Sequence, residues 1–375
     1  MPLDLPAPDA AARAHSERLA ALIRDEIAAA CGALEFARYM ALALYAPGLG
    51  YYSAGSVKFG AAGDFVTAPE LGPVFARCLA RAIAPTLRAT AGDILELGPG
   101  SGALASDLLL ELERLDALPK CYRLLEPSAE LRERQRARIA RDCPHLQTLA
   151  LWLDAPPAEA WSGALIANEV VDALPVQLFA LSDAGLHARC VALNQAGRFV
   201  WRDVPADAAL RDAVANALGD QASHLPRPYR SEIRPLVAPW FAEVARSLQH
   251  GIALFADYGY RRHEYYAPER SEGTLRCHYR HRAHNDPFMW PGLQDITAWV
   301  DFDALAQAGE ALGFAAGEAT SQAEFLIDNG LADVFAAAHA AAPDERTRYR
   351  LAQEVKQLTL PSEMGERFRV LCFRR

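Results

Sequence analysis

The stretch Asp93-Ile94-Leu95-Glu96-Leu97-Gly98-Pro99-Gly100-Ser101-Gly102-Ala103-Leu104 constrains the fold of this chain more than any other. A short apolar run bounded by glycines reads as a buried parallel strand, and residues 103–115 have the spacing of the helix that follows it. Gly98, Gly100 and Gly102 stand at alternate positions between the two. Lacking a Cβ, they permit positive φ and let a ligand approach the main chain closely. In an open α/β sheet a turn of this kind lies at the carboxyl ends of the strands, where ligands bind. Glu96, inside the strand, is expected to face the same crevice. The stretch therefore predicts a nucleotide-type cofactor site.

Composition narrows the class. With 375 residues the chain has room for one large α/β domain with additions, or for two domains. The expected division is 1–90 (helices and a pocket-wall loop) and 91–375, with insertions at about 176–235 and 261–300. A net charge of −9 argues against a general nucleic-acid binder, whose footprint would be basic. No apolar run approaches the roughly 20 residues of a membrane span, so membrane insertion is not expected. The first nine residues hold prolines and acids rather than a basic region and an apolar core, which predicts neither a secretory signal nor a transit peptide. The cysteines at 31, 78, 121, 143, 190, 277 and 372 form no Cys-x-x-Cys pair. Reduced, mostly structural thiols and a cytoplasmic location are expected.

Before the glycine loop, residues 10–30 carry Leu19, Leu22, Ile23 and Ile27 at helical spacing. A second helix is expected over 34–45, closed by Pro47-Gly48, and a third over 71–87. The intervening segments 48–53 and 60–70 are dense and irregular, and connections beyond about 12–15 residues tend to be functional. Asp64, Thr67 and Glu70 stand there among aromatics, the composition of a pocket wall. Thr67 and Glu70 are taken as candidate cofactor contacts. Downstream, 121–126 reads as a second strand ending in Glu126, which lies 26 residues beyond Gly100. That is near the spacing at which a strand-two carboxylate receives ribose hydroxyls; a cap on the helix from Ser128 is the competing reading. A third strand over 146–153 ends at Asp154, a candidate for an adenine amine or a plain loop aspartate before Pro156-Pro157.

The second chemical stretch is the apolar strand 163–167, which opens into Asn168, Glu169 and then Asp172. Polar groups abutting a buried strand are costly without a task, so these three are the candidate catalytic residues, with helix capping as the alternative. Residues 176–203 alternate as inserted antiparallel hairpins, and 251–260 reads as a fifth strand. A helix over 302–312, a sixth strand within 314–320, helices over 323–340 and 344–358, and a last strand over 368–375 complete the chain. Cys277, His278, His281, His284 and Asp286 hold zinc-ligand side chains within ten residues. Their spacing matches none of the usual patterns, so no metal is assigned. A loop of cations and aromatics lining or covering the crevice is expected, against a solvated loop.

Read as G-x-G-x-x-A, the glycine loop resembles a dinucleotide site; read as E-x-G-x-G-x-G, it resembles an S-adenosylmethionine site. Pro99 removes an N–H that a pyrophosphate cradle would use. Glu96 suits the ammonium of S-adenosylmethionine and would repel a pyrophosphate. A closing strand, helical insertion and terminal strand also suit a seven-stranded sheet whose last strand inserts antiparallel between strands five and six. The expected class is α/β, with a mostly parallel sheet and S-adenosylmethionine as cofactor.

The ordered motifs Tyr39-Met40, Gly50-Tyr51-Tyr52, Gly63-Asp64-Phe65-Val66-Thr67-Ala68-Pro69-Glu70, Glu96-Leu97-Gly98-Pro99-Gly100, Asn168-Glu169 with Asp172-Ala173-Leu174-Pro175-Val176, Asp257-Tyr258-Gly259, Asp295-Ile296-Thr297 with Val300-Asp301-Phe302, and Met364-Gly365-Glu366-Arg367-Phe368 resemble the MidA family. This is the family of the mitochondrial complex I assembly methyltransferase. The resemblance runs from about residue 34 to the C-terminus, departing at Gly72, where relatives often have serine. It implies a class I methyltransferase fold and, for mitochondrial members, symmetric dimethylation of an arginine on a core complex I subunit. The implied partner is a protein substrate carrying an arginine, with a second copy of the chain as a further candidate. On this reading Gly98, Gly100 and Gly102 meet the amino acid portion of the cofactor and Glu126 its ribose, while Glu169 and Asp172 clasp the guanidinium. Glu70 or Asp257 could take that last role. The rivals are a small-molecule methyltransferase, a nicotinamide-dependent oxidoreductase and a non-catalytic assembly chaperone.

Overall fold

The computed structural model describes residues 5–53 and 67–375. The main path of its largest sheet is built from β1 (Asp93–Leu97), β2 (Tyr122–Leu125), β3 (Ala150–Leu153), β4 (Trp161–Asn168), β5 (Leu248–Tyr260), β6 (Ala315–Ala316) and β7 (Phe368–Arg374), with the short strands Val300–Asp301 and Thr320–Ser321 pairing beside β5 and β7. The spatial order is β6-β7-β5-β4-β1-β2-β3. Neighbours among β1 to β5 are parallel, while β7 runs antiparallel to both β5 and β6. This is the arrangement expected from the closing strand–helices–strand order.

Side-chain alternation explains why the sheet is covered on both faces. Ile94, Ala164, Ile166, Ile252, Leu254 and Val370 pack on one side with helices Val74–Thr90 and Ala103–Arg114. Leu95, Leu97, Leu165, Ala167, Ala253, Phe255, Leu371 and Phe373 pack on the other with helices Val237–Ala245 and Phe302–Glu310. Strands apolar at every position are buried on both faces, which is the environment of a parallel sheet.

The residues before β1 divide between two cores. Helix Val74–Thr90 joins the main sheet, whereas helices Ala10–Ala29 and Phe36–Tyr45 pack with Val176, Leu178, Val191, Cys277 and Ile296. Leu34–Glu35, expected as the start of a helix, pairs instead with Gly185–Leu193. It thereby joins a second sheet with Gln177–Ser182, Phe199–Pro205 and Tyr229–Ile233. A third sheet of Arg276–Tyr279, Arg282–His284 and Asp295–Thr297 lies within the second insertion.

Three further expectations shift for local reasons. The third strand begins only at Ala150, because Pro144–Leu149 closes into a 3-10 turn. The 323–340 helix breaks into Gln322–Asp328 and Leu331–Ala341 around Gly330, which adopts φ 82°. At Gly72 a Cβ would fall 2.2 Å from Glu354 Oε2. That carboxylate accepts the Val74 N–H at 2.6 Å and so caps helix Val74–Thr90 from the far end of the chain. The glycine leaves room for it.

Candidate active site

A cavity of about 670 Å3 opens at the carboxyl ends of β1, β2, β4 and β5. Parallel strands all deliver their C-terminal residues to one edge of the sheet, and the order reverses between β1 and β4, leaving a crevice there. The wall holds Thr67, Glu70, Glu96, Gly98, Gly100, Glu126, Asn168, Glu169 and Asp172, so most of the candidate residues are brought together. Asp64 lies outside the described residues. Asp154 is not among the residues that line the cavity: its side chain is 92% exposed and pairs with Arg132 at 2.7 Å.

The glycine turn has the geometry expected of it. Gly98, Gly100 and Gly102 adopt φ 57°, 52° and 82°. A Cβ at Gly98 would stand 3.1 Å from Val170 Cγ2, and one at Gly102 3.2 Å from Gln135 Cα. At positive φ a side chain costs roughly 1–2 kcal/mol per residue. Gly98→Ala is therefore expected to lower stability by about that amount, read as a lower denaturant midpoint at unchanged slope; an unchanged midpoint would contradict the strain argument.

Gln135, to which sequence reasoning gave no role, ties the turn to its surroundings. Fully buried, it donates to Gly100 O at 2.8 Å and to Glu126 Oε2 at 3.4 Å, and accepts from Trp152 Nε1 at 2.8 Å. Glu126 is buried and also accepts the Ser128 N–H at 2.8 Å, while the Ser128 hydroxyl caps its own helix. One oxygen of Glu126 takes the main-chain N–H at the start of the helix, and the residue lines the cavity as well. Glu96 accepts the Tyr122 hydroxyl at 2.8 Å. Burial pushes its carboxyl up to about 7, with the Tyr122 hydrogen bond opposing and the Glu126 charge adding. Glu70 is held by the Ser101 hydroxyl and by Arg138, 3.5 Å away, so its carboxylate is already engaged at the loop.

The opposite wall concentrates acid. Glu169 has φ 52°, Asp172 is buried, and Asp295, also buried, faces the same space. Asp257 carries the geometry of this wall. Its carboxylate accepts Val171 N–H at 3.0 Å, Asp172 N–H at 3.1 Å and Tyr258 N–H at 2.9 Å. The other side of the turn is held by Arg234, whose guanidinium donates to the carbonyls of Asp172, Leu174, Ala298 and Trp299 at 2.7–3.2 Å. Asp257 thus grips the N–H groups of the turn at Asp172, and Arg234 ties the carbonyls of that turn to those of Ala298 and Trp299. This occupies Asp257 and removes it as an alternative clasp.

The remaining polar contacts leave one carboxylate oxygen of this wall unpaired among the described residues. Tyr258 donates to Asp172 Oδ2 at 2.5 Å, and Asp172 Oδ1 has no partner among the described residues. Tyr52 donates to Asp295 Oδ1 at 3.0 Å and stacks on Tyr45. Asn168 Nδ2 reaches Glu169 Oε1 at 3.3 Å. Burial, with the Asp172 charge adding, raises the Glu169 carboxyl to about 8. Burial also raises Asp172, opposed by the Tyr258 hydroxyl, and Asp257, where the neighbouring acids add. Crowded, desolvated carboxyls hold protons that water would remove. Among the described residues no group of three metal-ligating side chains converges; His278 lines the cavity, while Cys277 and His284 face the core.

A seven-stranded sheet with β7 reversed, and a glycine turn walled by carboxylates, together define a class I methyltransferase. The sequence profile of the family described as "Putative S-adenosyl-L-methionine-dependent methyltransferase" matches residues 78–320. The chain belongs to that family, the MidA family, and is an S-adenosylmethionine-dependent methyltransferase. Among solved structures, a Burkholderia thailandensis protein bound to S-adenosyl-homocysteine is 43% identical over 99% of this chain and 95% of its own, with a TM-score of 0.93. The Drosophila melanogaster protein arginine methyltransferase NDUFAF7 homolog, mitochondrial, is 28% identical over 97% of this chain and 87% of its own length. The Homo sapiens protein arginine methyltransferase NDUFAF7, mitochondrial, is 26% identical over 90% and 79%. These relatives correct the expected cytoplasmic location, which rested on cysteine usage and the first nine residues: they are mitochondrial proteins. Dispersed reduced thiols are common to cytosol and mitochondrial matrix, so that signal did not discriminate.

Proposed function

We propose that the methyl acceptor is the guanidinium of an arginine in a substrate protein. The observation that carries this reading is the acidic wall: Glu169, Asp172 and Asp295 line the cavity, while nearby Arg234 spends its donors on four carbonyls. A cation entering this space favours the ionised form of carboxyls that burial, and at Glu169 a neighbouring acid, has raised, and a planar fork of N–H donors matches paired carboxylates. The mitochondrial relatives named as protein arginine methyltransferases support the same acceptor. By the family resemblance, the substrate is a core subunit of a complex I-type NADH:quinone oxidoreductase.

Gly98, Gly100 and Gly102, with Glu96 nearby, would hold the amino acid part of S-adenosylmethionine, and Glu126 its ribose hydroxyls. When bound, the cofactor supplies a methyl group on an electrophilic sulfonium. Glu169 and Asp172 accept N–H bonds from the guanidinium, keep its plane fixed and exclude water from it. Such positioning contributes on the order of 7–11 kcal/mol in favourable cases. Glu169 takes the proton that the nitrogen loses on methylation, which requires it ionised.

That requirement sets the pH test. With the free-enzyme carboxyl at about 8, kcat/KM is expected to rise with pH through about 8 and then level, the apparent value belonging to the Glu169–Asp172 pair. The kcat profile should break at lower pH, because a bound cation favours the ionised form. A kcat/KM flat from pH 6 to 9 would contradict the role of Glu169.

A further inference from the structure

Besides its acids, the cavity lining holds two exposed cations, Arg276 and Arg367. Arg276–Tyr279 and Arg282–His284 form a hairpin with Cys277 opposite His284 and His278 opposite Ala283. Opposed residues share a face, and burial follows that alternation. Cys277, Tyr279 and His284 are buried, while Arg276, His278 and Ala283 line the cavity. Arg276, Arg280, His281 and Arg282 are exposed. Three arginines and three histidines thus fall within residues 276–284 of a chain with net charge −9. Arg367, also exposed, lines the same cavity. On the third strand of this sheet Asp295 stands opposite His278, so an acid of the wall adjoins the arginine-bearing hairpin.

The hairpin tip supplies an independent observation. Arg280 and His281 adopt φ 48° and 60°. Two-residue turns with both φ positive ordinarily take Asn-Gly, because a β-carbon crowds the main chain there. Here an arginine and a histidine occupy the tip, and residues held in such conformations collect at binding positions.

We infer that this hairpin docks an acidic segment of the substrate protein adjoining the target arginine, an inference that rests on the arginine reading above. The acidic wall attracts a guanidinium and repels an anionic flank; the hairpin's cations do the reverse. A segment that places acids beside its arginine is matched at both, and a wholly basic segment is rejected at the hairpin. A phosphate backbone would suit the hairpin but not the carboxylates of the wall or the negative whole-chain charge.

The test is fluorescence anisotropy of a labelled peptide with one arginine flanked by glutamates, bound to the full chain in the presence of S-adenosylhomocysteine. Exchanging the glutamates for glutamines is expected to weaken binding about tenfold, the sum of several exposed ion pairs. An Arg280→Gln/Arg282→Gln double variant should bind the glutamate peptide about tenfold more weakly, lose the preference, and keep its affinity for S-adenosylhomocysteine. Equal binding of both peptides by the native chain, a preference retained in the double variant, or a labelled RNA that displaces the glutamate peptide would each overturn the inference. Exchanging the peptide's arginine for glutamine separates the two readings. Binding that still requires arginine but ignores the flank sinks only the docking strip. Binding that tracks the flank but ignores the arginine sinks the acceptor assignment.

Discussion

Glu169→Gln is expected to reduce methyl transfer by about 10²- to 10⁴-fold, the usual contribution of a positioned proton acceptor, with S-adenosylhomocysteine affinity nearly unchanged. Glutamine keeps the shape and one acceptor oxygen but cannot take the proton. The same substitution should make the protein more stable at alkaline pH. In the folded state the Glu169 carboxyl is raised from 4.5 to about 8. The folded chain therefore retains a proton that the unfolded chain releases between those values, and stability falls as pH rises across that window. Each pH unit is worth about 1.4 kcal/mol for one group. The variant's advantage in melting temperature should accordingly grow from pH 5 to pH 8 and then level. Loss of transfer together with loss of cofactor affinity, or a variant less stable than the parent at pH 8, would show that Glu169 has been misplaced.

Glu126→Gln is expected to act on the other half of the site. A hydrogen bond to a charged group is worth about 1.5–3 kcal/mol, so S-adenosylhomocysteine should bind between about tenfold and a hundredfold more weakly. The glutamine can still accept the Ser128 N–H, which keeps the helix start in place. Transfer measured at saturating S-adenosylmethionine should recover most of the native rate, because the acceptor wall is untouched. Calorimetric titration of the two variants side by side separates the roles: affinity lost at Glu126, rate lost at Glu169. The reverse pattern would exchange the assignments.

Much of this architecture was legible locally. Alternate glycines between an apolar run and a helix specify a turn that only residues without a Cβ adopt easily, and the structure places that turn at the cavity. The run of apolar residues before Asn168 signalled a strand buried on both faces, and the polar residues after it fell at the strand end. Asp154 was less legible, because a loop aspartate has two equally cheap fates. In the structure it pairs with a neighbouring arginine, Arg132.

The parts that were not legible depend on long-range pairing. Arg234 looks like any charged residue after a strand, and its role exists only because the turns around Asp172 and Ala298 meet beside it. Gln135 sits in the middle of a helix, with no local feature to mark it. Asp257 and Tyr258 were visible as a motif, yet their division of labour was not: one holds main-chain N–H groups and the other reaches Asp172. Leu34–Glu35 reads as helical in isolation because its strand partner lies in an insertion far along the chain.

Transfer of isotopically labelled methyl from S-adenosylmethionine into a lysate of cells lacking this protein, followed by fragment mass spectrometry, examines the acceptor directly. The label is expected on a guanidinium nitrogen of one protein's arginine, and to vanish with the Glu169→Gln enzyme. Label on a lysine, a carboxylate or a small molecule would contradict the reading of the acidic wall as a guanidinium site.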